Sequence, residues 1–158
     1  MIRFVTPFVT LKTLWTDRMI AYAIAYLFTA LVFLAVDLLW LSKIARSFYV
    51  EQIGDLLLSQ PRLGVATAFY LVYIAGIVAF AVAPALKADS LVQAALLGAF
   101  FGFVAYATYD LTNYSTLKDW PVAVTVVDIC WGTILTAVSA VAGFQATRVA
   151  LRFFQGSI

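Results

Sequence analysis

The chain has 158 residues, of which 65% are hydrophobic and 11% are charged, and its net charge is +2. Soluble domains carry about 25% charged residues, so a water-soluble globule of this composition would expose large apolar patches. The small net charge does not favour nucleic acid as a partner. The single cysteine, Cys130, and the lack of histidine exclude an internal disulfide, histidine-ligated haem and the common zinc sites. We therefore expect an integral membrane protein without a cofactor or metal.

The first segment, residues 1–18, is predicted to be an interfacial extension. If it is helical, four apolar side chains share one face: Phe4, Phe8, Leu11 and Trp15. An amphipathic segment of this kind lies on a membrane surface rather than across it.

Four long apolar stretches follow, at about Met19–Leu41, Leu63–Leu86, Leu91–Asn113 and Trp120–Thr147. Each exceeds the roughly 20 helical residues that cross about 30 Å of hydrocarbon. Because lipid cannot satisfy open backbone groups, each stretch should be helical. The last two connections are short, so their spans should be antiparallel neighbours. The predicted fold is all-α: one up-down-up-down, four-helix transmembrane domain over residues 19–147.

Two further segments complete the chain. Residues 48–58, between the first two spans, are amphipathic and predict a second interfacial helix, and residues 148–158 are predicted to be a short tail. Lys and Arg predict the orientation, since they are more frequent on the cytoplasmic side. The side of both termini has six: Arg3, Lys12, Arg18, Lys87, Arg148 and Arg152. The other side has four: Lys43, Arg46, Arg62 and Lys118. Both termini are therefore predicted to be cytoplasmic.

Three acidic residues lie within the predicted spans, namely Asp37, Asp110 and Asp128. An aspartate at the centre of a membrane helix costs about 2.5–3.5 kcal/mol on insertion scales. No Lys or Arg occurs in the same spans. All three acids fall in the outer half of the bundle although they come from three helices. We expect them to form one polar cluster, with Asp110 and Asp128 in a shared network and Asp37 at its edge.

Helical spacing gives each aspartate polar neighbours on its own face. The pattern Asp-x-x-Trp occurs twice, at Asp37–Trp40 and at Asp128–Trp131. An indole N–H donates a hydrogen bond and can satisfy a carboxylate without adding charge. The candidate ligand-binding or polar cluster comprises Asp37, Trp40, Tyr106, Asp110, Asn113, Thr125, Asp128 and Trp131.

Small residues predict where the helices pack. Close backbone approach at small side chains drives helix association in lipid. The third and fourth spans each carry such residues at four-residue spacing, and both rows lead to an aspartate. The predicted packing residues are Gly98, Gly102, Gly132, Thr136 and Ala140.

Three segments together resemble a known family. They are Asp37-Leu-Leu-Trp40, Tyr106-Ala-Thr-Tyr-Asp-Leu-Thr-Asn113 and Asp128-Ile-Cys-Trp-Gly132. They are similar to bacterial membrane proteins grouped as domain of unknown function 2177, over about residues 20–145. The resemblance implies a small multi-pass protein of the bacterial inner membrane, with these segments as its signature. It implies no activity.

Three functions remain open from the sequence. The acids can form a pocket that binds or transports a proton, a small ligand or a lipid, with a homo-oligomer needed to enclose a transport path. The protein can instead be an accessory subunit that packs against a larger membrane complex. It can also be a membrane-embedded enzyme acting on a lipid or isoprenoid, with carboxylates as acid and base; no nucleophile or catalytic residue is identifiable, so an enzyme is the less favoured class. A purely structural role for the acids, as hydrogen-bonded locks between helices, also remains open.

Overall fold

A computed structural model describes the backbone of residues 7–156 and the side chains of residues 18–153. Within the described residues, six α-helices follow one another. They are α1 (Pro7–Leu39), α2 (Arg46–Ile53), α3 (Leu63–Ile77), α4 (Ala83–Ala88), α5 (Leu91–Thr116) and α6 (Val122–Gly156). π-helical turns extend α1 over Trp40–Ile44 and connect α3 to α4 over Val78–Val82, and a 3-10 turn, Gly54–Leu56, follows α2.

The predicted all-α, four-helix class is confirmed. Four helical stretches are long and apolar enough to span a membrane: Arg18–Ile44, Leu63–Ala88, Leu91–Thr116 and Val122–Phe153. Large apolar side chains cover their outer surface; Val72 is 73% exposed and Phe100 is 66% exposed. Such a surface suits hydrocarbon as the surrounding solvent.

The ends of the first and last helices differ from the predicted boundaries. Helix α1 begins at Pro7 and continues through residue 18 without a break, so the described part of the predicted extension belongs to the same helix as the first span. The side chains of residues 1–17, which carry the predicted apolar face, lie outside the described residues. Helix α6 continues to Gly156, so most of the predicted tail is also helical.

Helix α6 packs on both α1 and α5. Helix α3 contacts α1, and the π-helical turn that follows α3 contacts both α1 and α5. Helices α1 and α6 run antiparallel, because Thr29 meets Gly143 whereas Asp37, later in α1, meets Trp131, earlier in α6. The centre of the bundle is apolar. Its fully buried side chains include Phe33, Ile74, Leu135 and Phe144.

The second span contains a proline and stays helical around it. Pro84 lacks a backbone N–H and would interrupt a regular helix. The chain nevertheless stays helical, with a π-helical turn over Val78–Val82 directly before the short helix that contains Pro84. The break falls later, at Asp89, which adopts a left-handed conformation with φ of 46°. Ser90 then caps α5 by accepting a hydrogen bond from the Gln93 N–H at 3.2 Å.

Helices α5 and α6 form the closest contact in the described bundle, and the predicted small residues lie in it. A Cβ atom at Gly98 would lie 2.8 Å from the Cβ of Ala140. A Cβ at Gly102 would collide with the Gly132 carbonyl and would lie 2.7 Å from the Cβ of Thr136. Since real Cβ atoms do not approach this closely, these positions require glycine.

Candidate functional site

A cavity of about 840 Å³ lies at the end of the bundle where α1 ends. Helices α1, α2, α3, α5 and α6 all contribute to its wall. Its charged groups are Asp37, Asp128 and Arg46, and Arg46 is the only cationic side chain among the described residues of the wall. Aromatic side chains line the interior, and aliphatic ones from α2 and the following loop cover it. The aliphatic group is Val50, Ile53, Leu57 and Leu58.

Asp37 anchors the first half of the polar network. Its side chain is only 4% exposed. The hydroxyl of Tyr70, from α3, donates to Oδ2 at 2.7 Å, and the indole N–H of Trp131, from α6, donates to Oδ1 at 3.1 Å. These hydrogen bonds tie three helices together at one carboxylate. Both donors are neutral groups, so neither brings a positive charge to this carboxyl group.

Asp128 anchors the second half. The hydroxyl of Tyr49, in α2, donates to its Oδ1 atom, and Trp40 donates to the Tyr49 oxygen at 3.4 Å. The rings of Trp40 and Trp131 stack in parallel, with centroids 4.2 Å apart and planes 10° apart. The stack therefore joins the two halves of the network side by side. Neither carboxylate forms an ion pair with any residue in the range 18–153.

Tyr49 holds α2 over the cavity. Burial raises the pKa of its phenol well above the ordinary value near 10, and the hydrogen bond to Asp128 raises the pKa further. Both effects favour the neutral hydroxyl, since an anion here would be desolvated and would face a carboxylate. Tyr49 is therefore a donor at any physiological pH.

The indoles serve the carboxylates in a different way from the predicted one. Within each Asp-x-x-Trp pattern, the tryptophan was expected to bond the aspartate of its own helix. Instead, Trp131 reaches across to Asp37, and Trp40 reaches Tyr49. Trp131 thus bonds the acid of the facing helix directly, whereas Trp40 is linked to Asp128 only through the Tyr49 hydroxyl.

Asp110 also departs from the prediction. It is fully buried, and neither of its oxygens accepts a hydrogen bond from any described residue. Asp110 and Asp128 are near enough to interact electrostatically. Tyr106, four positions before Asp110, lies where a Cβ on Gly132 would be, and its ring lines the cavity. Asp110 thus lies beside the network, and Asp37, expected at the edge, lies within it.

The remaining predicted residues lie outside the cavity wall. Thr125 is buried and accepts a hydrogen bond from the Trp120 indole at 3.2 Å. Asn113 is half-buried, and its backbone carbonyl accepts a hydrogen bond from the Leu117 N–H at 2.8 Å. Both residues stabilise the α5–α6 connection. Across the described residues, no cluster of three or more His, Cys, Asp or Glu side chains has the geometry to hold a metal ion.

Reasoning from the sequence missed most of the wall, including three of its polar side chains: Arg46, Tyr49 and Tyr70. Tyr49 and Tyr70 belong to helices without an intramembrane acid, so helical spacing from the aspartates could not reach them. Tyr70 is nevertheless a polar side chain inside a predicted span, and Tyr49 lies in the amphipathic segment. Pairing the unpaired acids with tyrosines of neighbouring spans would have indicated Tyr70, and extending the search to the amphipathic segment would have indicated Tyr49.

A family model described as "Predicted membrane protein (DUF2177)" matches residues 22–145. This match includes Asp37, Asp110 and Asp128 and covers well over half of the chain. The chain belongs to this family. No curated protein and no solved structure matches it. The family region contains the whole cavity wall described above, from Asp37 to Trp131.

Proposed function

We propose that this membrane protein binds a small cationic ligand in the cavity between Asp37 and Asp128. The observation that carries this proposal is that both carboxylates reach the cavity while their described hydrogen-bond donors are neutral. A carboxylate has about four acceptor sites, so Asp37 with two donors and Asp128 with one can accept more. An ammonium group supplies both the missing hydrogen bonds and the missing charge.

The aromatic wall supports the same ligand chemistry. Tyr49, Tyr70, Tyr106 and Trp131 surround the acids. The faces of such rings attract cations, and this attraction strengthens to about 2 kcal/mol when the site is desolvated. Arg46 is exposed, so it can remain hydrated while a ligand occupies the interior.

Binding of ethylamine tests the proposal. Wild-type protein in lipid nanodiscs is titrated with ethylamine, and tryptophan fluorescence reports binding because the Trp40–Trp131 stack adjoins the acids. We expect saturable binding that Asp128→Asn abolishes, while the fold remains intact. The matched control is Asp119→Asn, which removes an exposed acid (side chain 85% exposed) that does not line this cavity.

A cellular assay complements the titration. Asp37→Asn and Asp128→Asn should fail to complement a strain that lacks the protein, whereas Asp119→Asn should complement. Normal complementation by the double variant Asp37→Asn/Asp128→Asn, or ethylamine binding that survives Asp128→Asn, would show that the acids are only structural locks between helices.

We further propose that the protein resides in the bacterial inner membrane with cytoplasmic termini, so that the cavity lies toward the periplasmic side. The support is the excess of six Lys and Arg over four on the side of the termini. In a Cys130→Ala background, cysteines at Ser47 and Ser115 should react with an impermeant reagent added outside. A cysteine at Ser157 should react only after the cells are opened. Reaction of Ser157→Cys with the reagent in intact cells would show that the orientation is the opposite of the proposed one.

A further inference from the structure

A second cavity, of about 390 Å³, lies between α3 and α5 and adjoins the first. The two cavities have Phe69, Tyr106 and Asp128 in common. The second one adds Tyr73, Ala105 and Tyr109 to its wall. Asp128 is the only charged side chain among the described residues of this wall, so the gap is apolar except where it meets the acid.

The gap exists because α3 diverges from α5 along its length. Near the middle of the bundle the two helices touch, since a Cβ on Gly76 would lie 2.7 Å from Cζ of Phe101. Helix α5 approaches the π-helical turn and α4, which follow α3 in the chain, more closely than it approaches α3 itself. Between Gly76 and Phe69 the helix rises roughly 10 Å. Large rings of α3 and α5 occupy the sides of the gap but do not close it.

The gap opens on the outer surface of the bundle. Phe69 and Tyr109 are 53% and 59% exposed. Both belong to membrane-spanning helices, so the surface on which they lie faces hydrocarbon rather than water. The path from this opening inward therefore begins in an apolar environment and ends at Asp128, with Asp37 beyond it in the first cavity.

We propose that the ligand is a long-chain lipid amine, which enters sideways from the bilayer between α3 and α5. This inference rests on the proposed cation site and assigns the chemical class of its ligand. The ammonium group lies between Asp128 and Asp37, and the hydrocarbon chain leaves through the gap past Ala105. A molecule with charge at one end and hydrocarbon at the other matches a path that has an acid at one end and lipid at the other. A short water-soluble amine has no need of the lateral opening.

Photo-crosslinking tests the route directly in the wild-type protein. Hexadecylamine with a diazirine near the far end of its chain is added to protein in nanodiscs, and labelled residues are mapped by mass spectrometry after irradiation. Specific labelling is the part that excess unlabelled hexadecylamine removes. We expect it on α3 and α5 around the gap, near Phe69 and Tyr109. Specific labels confined to other helix faces would overturn the proposal.

A plug variant separates the route from the acid site. Ala105 lines the gap but not the first cavity, so Ala105→Phe should fill the gap and cause loss of specific labelling. The matched control is Ala68→Phe, because Ala68 is exposed and lines neither cavity. It should label as the wild type does. Thermal unfolding shows whether both variants are folded. If Ala105→Phe does not fold, the residues labelled in the wild-type protein decide whether the lateral route exists.

Ethylamine binding tests the cation site alone, so comparing it with hexadecylamine labelling distinguishes failure of the cation site from failure of the lateral route. If ethylamine binds wild type and Ala105→Phe equally, and hexadecylamine labels the gap only in wild type, both proposals hold. If ethylamine binds but specific labelling of the gap is absent, the lateral lipid route is wrong and the cation site stands. If ethylamine does not bind wild type at all, the cation site fails and the lipid inference fails with it.

Discussion

The α5–α6 contact and the cavity end are built from opposite kinds of side chain within one bundle. Along the contact, glycine lets backbone meet backbone, as where Gly102 faces the Gly132 carbonyl. At the cavity end, aromatic rings such as Tyr70 and Trp131 bond a carboxylate across the space between helices. The comparison shows that side-chain size decides whether two membrane helices touch or leave a volume between them.

The two regions also differ in what stabilises them. Lipid is as apolar as a leucine side chain, so helices in a bilayer associate through close packing and hydrogen bonds rather than through water exclusion. The α5–α6 contact supplies close packing. The cavity end supplies few close contacts and relies on hydrogen bonds to two carboxylates. The contact should therefore determine stability, and the cavity end should determine binding.

The largest expected effect is on stability, when a glycine in the α5–α6 contact is replaced and compared with a glycine on the open surface. Gly102→Val should lower the free energy of unfolding by about 3 kcal/mol, because overpacking forces the α5 and α6 backbones apart. Gly64→Val is the control, since nothing lies within 4 Å of a Cβ at Gly64. The control should change stability by no more than about 0.5 kcal/mol. Denaturation in detergent micelles measures both, and equal effects would invalidate the comparison.

The next effect concerns Asp37, which accepts hydrogen bonds from two side chains. Asp37→Leu should destabilise by about 1–3 kcal/mol, because it leaves the Tyr70 hydroxyl and the Trp131 indole without an acceptor in a buried site. The double variant Asp37→Leu/Tyr70→Phe should recover part of this loss, since one orphaned donor is then removed. If the destabilisation of the double variant equals the sum of those of Asp37→Leu and Tyr70→Phe, the hydrogen bond between Tyr70 and Asp37 does not contribute to stability.

Asp110 should behave in the opposite way. Its buried oxygens have no partner among the described residues, so the ionised form would bear a desolvation cost without a compensating hydrogen bond. Asp110→Asn removes the charge and keeps the shape, and it should raise the melting temperature by an amount equivalent to about 1 kcal/mol. A lower melting temperature would mean that the carboxylate holds a cation or water in the native protein.

The smallest effect is the pH dependence contributed by Tyr49. Its pKa is raised in the folded protein, so above pH of about 10 the unfolded chain loses a proton that the folded chain keeps. Folded protein then binds more protons, and stability falls as pH rises, by at most about 1.4 kcal/mol per pH unit. Tyr49→Phe lacks this contribution. Its stability relative to wild type should be constant below about pH 9 and should improve above pH 10; parallel curves would contradict the buried hydrogen bond to Asp128.

Part of the candidate site could be predicted from the sequence because acids in a membrane helix are conspicuous. Asp37, Asp128 and Trp131 line one cavity, although they are up to 94 positions apart in the chain. Charge and burial cannot both be satisfied at random positions in lipid, which is the physical reason for expecting the acids to lie together. The partners of each acid were not predictable by helical spacing, since the donors come from facing helices.

The sequence by itself determined that this protein is a four-helix membrane bundle, because hydrocarbon demands long apolar helices whatever their neighbours are. It also determined which small residues allow α5 and α6 to approach, since Gly98 and Gly102 recur on one helix face. Only the tertiary structure decided that Asp37 accepts from two donors while Asp110 has no donor among the described residues, and that α3 diverges from α5. These features depend on the relative rotation and tilt of whole helices. Many side-chain contacts fix that geometry together, and no local pattern of residues encodes it.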